Sequence, residues 1–183
     1  MPRRLPMAGR QMNDGKAMKE AGALLKMPLF VGLTEPQLKH VIGAGRTVKF
    51  PTGEVIIKEG ESSDSLFILM SGSVEITKHL GRAIGIQMDE SKQKTLVKIA
   101  APAFFGEMGL LEEAERSATI TAATPCELVE VTKADFDRVT DEDLELGYHL
   151  ARNVAMVLSS RLRNTDKDVI KLTLALSLAL GNR

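Results

Sequence analysis

The stretch FFGEMGLLEEAERSATITA, residues 104–122, places a carboxylate and a guanidinium nine residues apart, just after a glycine. Gly106 lets the backbone approach a bound group closely because it has no Cβ. Arg116 presents a planar fork of N–H donors that fits two phosphate oxygens, and Ser117 adds a hydroxyl. Glu107 is an acceptor for a sugar hydroxyl. A phosphate joined to a ribose would use all of these groups.

The same residues have a simpler interpretation. Glu107 and Arg116 could pair with each other on a solvated turn, and the composition of this charged segment does not separate the two interpretations. The remaining carboxylates of the turn, Glu112, Glu113 and Glu115, are interpreted as solvated charges.

The segment that must position these residues is rich in β-structure signals. From Arg46 to about Thr132, short β-branched runs such as EVIIKEG and CELVEVT alternate with Gly, Pro, Ser and Asp. This texture is typical of an all-β sandwich or barrel. Residues 78–93 are polar and weakly patterned, so we expect a long hairpin loop there.

Helical patterns flank the β segment on both sides. Residues 1–13 have the composition of a loose arm, and turn-like glycines at Gly53, Gly60 and Gly72 punctuate the strands. Asp14 predicts the start of a short helix that stops at Pro28. Three further pairs predict helix starts: Thr34 with Gln37, Thr132 with Asp135, and Thr140 with Asp143.

The last element is the longest. A helix from about 142 to 180 would be roughly 58 Å long at 1.5 Å per residue, which is longer than a small β domain is wide. Its apolar positions alternate steps of four and three, which predicts a coiled-coil seam and a homodimer. Folding back onto its own domain is the alternative, and VIKLTLALSLAL is apolar on more than one face. The seam positions are Ala155, Leu158, Leu162, Thr165, Val169, Leu172, Leu176 and Ala179.

The composition, charge and motifs of the chain argue against several classes of function. Its 24 basic and 24 acidic residues balance, so no net field favours nucleic acid or an anionic membrane. The lone Cys126 suits a packed thiol in a reducing compartment, and no window reaches the length of a membrane span, so we expect a cytoplasmic protein. The histidines, His40, His79 and His149, are too scattered for a metal site. No nucleophile elbow or Walker loop is present, so we expect no enzyme.

The central stretch, FGEMGLLEEAERSATITA, resembles the phosphate-binding cassette of the cyclic nucleotide-binding domain family. The similarity extends upstream through FPTGEVIIKEGESSDSLFILMSGSVEI and covers about residues 28–135. The segment GEMGLLEEAERSA resembles the cassette of the bacterial catabolite activator branch of this family. The resemblance implies an α+β fold, in which a β jelly roll has short N-terminal helices and a long C-terminal helix for dimerisation. Pro102 and Ala103 stand where the family more often has a glycine-containing turn.

The resemblance also implies roles for individual residues. Glu107 would accept from the ribose 2′-hydroxyl, and Arg116 would pair with the cyclic phosphate. Ser117 and the amides of Gly106 and Met108 would complete the cradle.

Base recognition is implied on the long helix, with Thr165 at the hydroxyl that meets adenine. A Thr at a seam position could instead only fix register or bond its own helix backbone. Asp166 falls where the branch has a small hydroxyl residue contributed by the second subunit. A carboxylate there favours cyclic AMP over cyclic GMP, because adenine presents an amino donor where guanine presents a carbonyl.

The sequence therefore predicts three units: an arm and short helix at 1–27, a jelly roll at 28–139 and a dimerisation helix at 140–183. We expect a cyclic nucleotide sensor that signals to a protein effector rather than binding DNA, since no winged helix follows in this sequence. A docking module without ligand and a metal-dependent enzyme on a cupin-like scaffold are the alternatives.

Overall fold

The computed structural model describes residues 22–62, 64–79, 93–111 and 115–181. The predicted arm at 1–13, the start of the first helix at Asp14 and most of the predicted hairpin loop lie outside these residues. Residues 22–24 are helical and are followed by a turn that leads to a 3-10 helix at Pro28–Phe30.

Eight strands of the described residues form two four-stranded antiparallel sheets. The strand orders are β1-β8-β3-β6 and β2-β7-β4-β5, so neighbours in space are mostly distant in sequence. This arrangement confirms the predicted jelly-roll class. Within the described residues the two sheets remain separate and do not close into one barrel. The strands are β1 Arg46–Phe50, β2 Val55–Ile57, β3 Ser65–Ser71, β4 Ser73–His79, β5 Gln93–Ala100, β6 Ala103–Phe105, β7 Thr119–Ala122 and β8 Cys126–Thr132.

A hydrophobic core fills the space between the sheets. Alternate residues of strands from both sheets point into it, because successive side chains of a strand face opposite sides. Phe67 stacks on Phe105 in this core with ring centroids 5.7 Å apart. The core also takes in Ile57, Leu69, Val74, Ile120, Cys126 and Leu128. β6 pairs with β3 in one sheet, whereas β7 belongs to the other sheet, and the cassette connects β6 to β7 across the core.

Besides the helical residues 22–24, the described parts of the chain contain four α-helices, which pack on the other face of the first sheet and around its ends. They are α1 Glu35–Ala44, α2 Met108–Leu111, α3 Lys133–Glu142 and α4 Leu144–Gly181. The capping boxes predicted at Thr34 with Gln37 and at Thr132 with Asp135 are confirmed, and each satisfies backbone groups at a helix start.

The predicted start signal at Thr140 is wrong. Thr140 lies inside α3, where its hydroxyl donates to the Asp137 carbonyl oxygen at 2.9 Å. Asp143 leaves the helical conformation, and its carboxylate accepts from the Leu146 amide at 3.0 Å. The long helix α4 therefore begins at Leu144, with Asp143 as its cap.

The first half of α4 packs on the domain through one face. Leu146, Leu150 and Val154 are buried there. Asn153 is buried beside them and its amide donates to the carbonyl oxygens of Leu29 and Val31 at 2.9 and 2.8 Å. These contacts fix the rotation of α4 about its own axis, and with it the direction in which every later side chain points.

The second half of α4 is exposed. All described side chains from 159 to 180 fall in the exposed class, so the helix does not fold back on its own domain. Despite its apolar end, α4 is not apolar enough over a sufficient length to cross a bilayer, and the same holds for the other helices in the described part of the chain.

Candidate functional site

The cassette begins with a tight backbone turn at the end of β6. Gly106 has φ +83°, a conformation that residues with a Cβ rarely adopt. A Cβ at this position would also lie 2.6 Å from the Arg116 Nη1 atom. The turn therefore requires glycine, and a larger residue would also displace the guanidinium that lies against it.

Glu107 is the most deeply buried charged group of the site. Its side chain is 1% exposed, and its Oε1 atom accepts from the Arg161 guanidinium on α4. The buried Oε2 atom has no hydrogen-bond partner within the described structure. A buried acceptor without a partner is costly, so this oxygen is suited to a donor that arrives with a ligand.

Arg116 is anchored to the neighbouring sheet. Its Nη1 and Nη2 atoms donate to the backbone carbonyl and hydroxyl oxygens of Ser65 at 2.8 and 2.9 Å, and its guanidinium lies 5.8 Å from the Phe67 ring centroid. Burial lowers the pKa of Arg116, and the charges of Asp64 and Glu130 oppose that shift. The group stays cationic, because arginine begins from a very high pKa.

The simpler interpretation of the cassette, a pair between Glu107 and Arg116, is wrong. Glu107 binds Arg161, whereas Arg116 binds Ser65. The two side chains instead line one cavity of about 490 Å³. A volume of this order lies in the range of small-molecule sites.

Three walls enclose the cavity. The first is the cassette, which includes all five predicted residues of that segment, and the second is apolar surface of the sheets with one cation, Lys78. The third is one face of α4. The walls consist of Gly106, Glu107, Met108, Gly109, Glu115, Arg116, Ser117 and Ala118, then Ile57, Ile76, Lys78, Val97, Phe105 and Ile120, and then Arg161, Asn164, Thr165 and Asp168.

The helix wall includes Thr165 but not Asp166. Thr165 lines the cavity, and its hydroxyl also donates to the Arg161 carbonyl oxygen at 3.1 Å. Asp166 lies outside the lining because one residue turns a helix by about 100°. Asp168, three residues after Thr165, returns to the cavity face, where it pairs with Lys171 at 2.9 Å.

Sequence reasoning missed three residues of this wall, Arg161, Asn164 and Asp168. A signal exists for Arg161 and Asp168, since positions three or four residues from Thr165 share its helix face, and Asn164 lies three residues after Arg161. Arg161 lies 6.0 Å from the Phe104 ring centroid as well as against Glu107, so it is the side chain that joins α4 to the cassette.

Within the ranges that the structure describes, no cluster of three or more His, Cys, Asp or Glu side chains is arranged to hold an ion. His40 instead pairs with Glu142 at 3.0 Å.

The fold and the cavity define a β jelly-roll domain with a cavity of small-molecule size between a cassette and a helix. The profile of the cyclic nucleotide-binding domain family matches residues 47–143. The chain belongs to this family.

Individual relatives agree with that assignment. The chain is 30% identical over 139 residues to the cAMP-activated global transcriptional regulator CRP of Pasteurella multocida, a match that covers 75% of this chain and 61% of the relative. The crystal structure of the Thermus thermophilus catabolite activator protein superposes with a TM-score of 0.68 at 31% identity, covering 80% of this chain and 63% of that one. The regulatory domain of Toxoplasma gondii PKA, solved with cAMP, gives a TM-score of 0.58 at 26% identity over 70% of this chain and 46% of that chain.

The chain spans about 60% of the length of the first curated relatives that it matches. The activities of those whole proteins are therefore only proposed for this chain.

Proposed function

We propose that this protein is a cyclic nucleotide sensor, and that its ligand is cyclic AMP. The observation that carries this proposal is the unpaired, buried Oε2 atom of Glu107 in the same cavity as the anchored guanidinium of Arg116. One ligand that bears both a hydroxyl donor and an anion would satisfy the first group and neutralise the second. A ribose cyclic phosphate carries the two on one small ring system.

In this proposal each wall binds one part of the nucleotide. The phosphate lies against Arg116, Ser117 and the amides of Gly106 and Met108, and the ribose 2′-hydroxyl donates to Glu107. The base lies against the apolar sheet wall and meets the hydroxyl of Thr165. A Thr hydroxyl that donates to its own helix still has lone pairs with which to accept from a base amino group.

Cyclic AMP is preferred over cyclic GMP for a chemical reason. Carboxylates near the base accept from the adenine amino group, whereas they repel the guanine carbonyl oxygen. Asp168 already lies in the cavity lining. Asp166 takes part only if it reaches the cavity of a second copy, as the family resemblance implies.

The second copy is proposed to pack along α4. The proposed seam, counted from Ala151, can be continued to the first turn of the helix, because Leu144 and Tyr148 keep the alternation of four and three and are exposed. The opposite face carries Leu146, Leu150 and Val154 into the domain. The helix thus packs on its own domain through one face and leaves most of the seam exposed, as a parallel coiled-coil dimer requires, although the seam residue Leu158 is partly buried against the domain.

Signalling follows from the position of Arg161. This side chain is the polar bridge between cassette and helix, and the ligand would touch both walls. Binding therefore favours the conformation in which α4 lies against the cassette, and so shifts how α4 presents itself to a protein effector. We propose no direct role for nucleic acid or membrane, and a cytoplasmic location.

Isothermal titration calorimetry of the purified chain with cyclic AMP and cyclic GMP tests the proposal. We expect one site per chain, with cyclic AMP binding more tightly. Adenosine, which has the sugar and base without the phosphate, is the matched control and should bind far more weakly. An absence of heat at millimolar cyclic nucleotide would leave a docking module as the better account.

A further inference from the structure

The part of α4 that extends past the cavity has two apolar faces, and a coiled-coil dimer covers only one. The last helix residue in the cavity lining is Asp168. After it, Val169, Leu172 and Leu176 continue the seam. Ile170, Leu174 and Leu178, here called the tail stripe, repeat every four residues and are 67%, 59% and 65% exposed.

The tail stripe points away from the seam. At about 100° per residue, its mean direction lies roughly 170° around the helix from that of the three neighbouring seam residues. A partner helix on the seam contacts residues at and beside the seam, so it leaves the tail stripe in water. A helix that is apolar on opposite faces needs two neighbours.

The area of the tail stripe fixes the strength of contact that it can make. Fully burying one Leu or Ile removes on the order of 60 to 120 Å² of apolar surface from water. Two stripes facing each other would thus bury about 400 to 700 Å², which is below the roughly 1,200 Å² of a stable interface. The stripe is therefore too small to hold two monomers together, but large enough for a weak contact between dimers that the seam has already formed.

Charge on the same face decides the orientation. Arg163 and Lys167 precede the tail stripe on this side of α4 and are exposed. In a parallel pair of stripes these cations would lie beside their own copies, which is unfavourable. In an antiparallel pair centred on Leu174, Ile170 meets Leu178, the cations move to opposite ends, and the two globular domains stay apart.

The tail itself points to a second copy rather than to a charged partner. Residues 172–180 contain no Asp, Glu, Lys or Arg, so they carry no charge pattern that would select an oppositely charged surface. The stripe is symmetric about Leu174, with one large aliphatic residue four positions before it and another four after it. A surface of this kind is complementary to itself under a two-fold axis.

We propose that dimers of this protein associate further, tail to tail, through antiparallel contact of Ile170, Leu174 and Leu178 with the same residues of another copy. The contact is weak and depends on concentration. Because seam and stripe face nearly opposite directions, association does not stop at a compact four-chain ring but continues as concentration rises. The proposal rests on the seam dimer of the proposed function, and not on the identity of the ligand.

Sedimentation velocity of the full chain tests this. We expect dimers at low micromolar concentration and a mass of four chains or more at hundreds of micromolar. Leu174→Glu should remain dimeric throughout, with unchanged helical circular dichroism and unchanged cyclic AMP titration. Leu172→Glu, an exposed Leu of the seam two residues away, is the matched control and should instead break the dimer.

Three results would overturn the proposal. One is a parent chain that stays dimeric at every concentration, and another is a Leu174→Glu variant that assembles like the parent. The third is a dimeric parent that sediments with phosphatidylserine vesicles and loses this property in Leu174→Glu, which would make the stripe a membrane surface. Lys167→Gln addresses orientation: unchanged association supports the antiparallel contact, and stronger association contradicts it.

Discussion

The two polar walls of the cavity are built differently. The cassette wall is preformed: Glu107 is buried, Gly106 has a backbone conformation that only glycine adopts readily, and Arg116 is held by two hydrogen bonds to Ser65. The helix wall is open. Thr165 and Asp168 are exposed, and one half-exposed side chain, Arg161, ties this wall to the cassette.

We infer from this difference that one wall mainly binds the ligand and the other mainly changes conformation when the ligand binds. A preformed wall binds the common part of a ligand without reorganising, because its groups already have the required geometry. An open wall can occupy more than one position at small cost. We infer that the cassette supplies most of the affinity, and that α4 supplies selectivity for the base and the conformational change.

The largest predicted effect is the loss of the anchored cation. Arg116→Ala removes a charge-assisted contact worth about 1.5 to 3 kcal/mol, so the affinity for cyclic AMP should fall roughly 10- to 150-fold. Calorimetry measures it, with Arg138→Ala as a control because Arg138 pairs with Asp135 and Glu142 on α3 and is not part of the cavity lining. An Arg116→Ala variant that binds like the parent contradicts the phosphate assignment.

The link between the walls comes next. Arg161→Ala leaves one more oxygen of Glu107 without a partner and disconnects α4 from the cassette, which should cost about 1 to 2 kcal/mol in ligand affinity, or roughly 5- to 30-fold. Arg152→Ala, an exposed arginine on the same helix that is not part of the cavity lining, should have no effect. Equal titration curves for these two variants would show that Arg161 is not a link.

The open wall should give a smaller, selective effect. Thr165→Ala removes a hydroxyl worth about 0.5 to 1.5 kcal/mol, so it should weaken cyclic AMP by roughly 2- to 10-fold and narrow the preference over cyclic GMP. Thr173→Ala is the matched control, since the Thr173 hydroxyl also donates to its own helix backbone, at 2.9 Å from the Val169 carbonyl oxygen. If both changes are neutral, Thr165 serves the helix alone.

The smallest effect concerns the base of α4. Hydrogen bonds from the Leu146 backbone amide, and then from the Gln37 side chain, lower the pKa of Asp143. Its charged form is therefore favoured by folding, and this contribution is present above the unfolded pKa near 3.9 and is lost as pH falls through the lower folded pKa. Urea unfolding should show that Asp143→Asn is less stable than the parent at neutral pH. The difference should shrink below about pH 4, and a difference that grows there would contradict the assignment.

Much of the fold could be predicted because its signals are local. Thr34 with Gln37 and Thr132 with Asp135 are capping boxes wherever they occur, and the strands carry β-branched runs between turn residues. The helix start predicted at Thr140 is wrong although its local signal is as good as those of the confirmed helix starts. Tertiary contacts decided between Thr140 and Asp143, because Gln37 of a distant helix binds the Asp143 carboxylate at 3.1 Å.

The candidate site likewise contains residues that the local sequence could predict and residues that it could not. Gly106, Glu107, Arg116 and Ser117 lie in one short segment whose residue types state their chemistry. The residues of α4 depend on how the helix is rotated, which Leu146, Leu150 and Val154 set from several turns away. Asp168 was missed for this reason, and the role of Asp166 in the cavity of a second copy stays a prediction. The boundaries at 27 and 139 and the individual ligand contacts stay predictions.

The most direct test of the central claim is a crystal structure of the protein grown with cyclic AMP. The account predicts density for the nucleotide between Arg116 and Thr165, with the phosphate on the guanidinium and the ribose 2′-hydroxyl on the Oε2 atom of Glu107. Nucleotide bound elsewhere, or a cavity in which Glu107 Oε2 remains without a partner at saturating ligand, would contradict it.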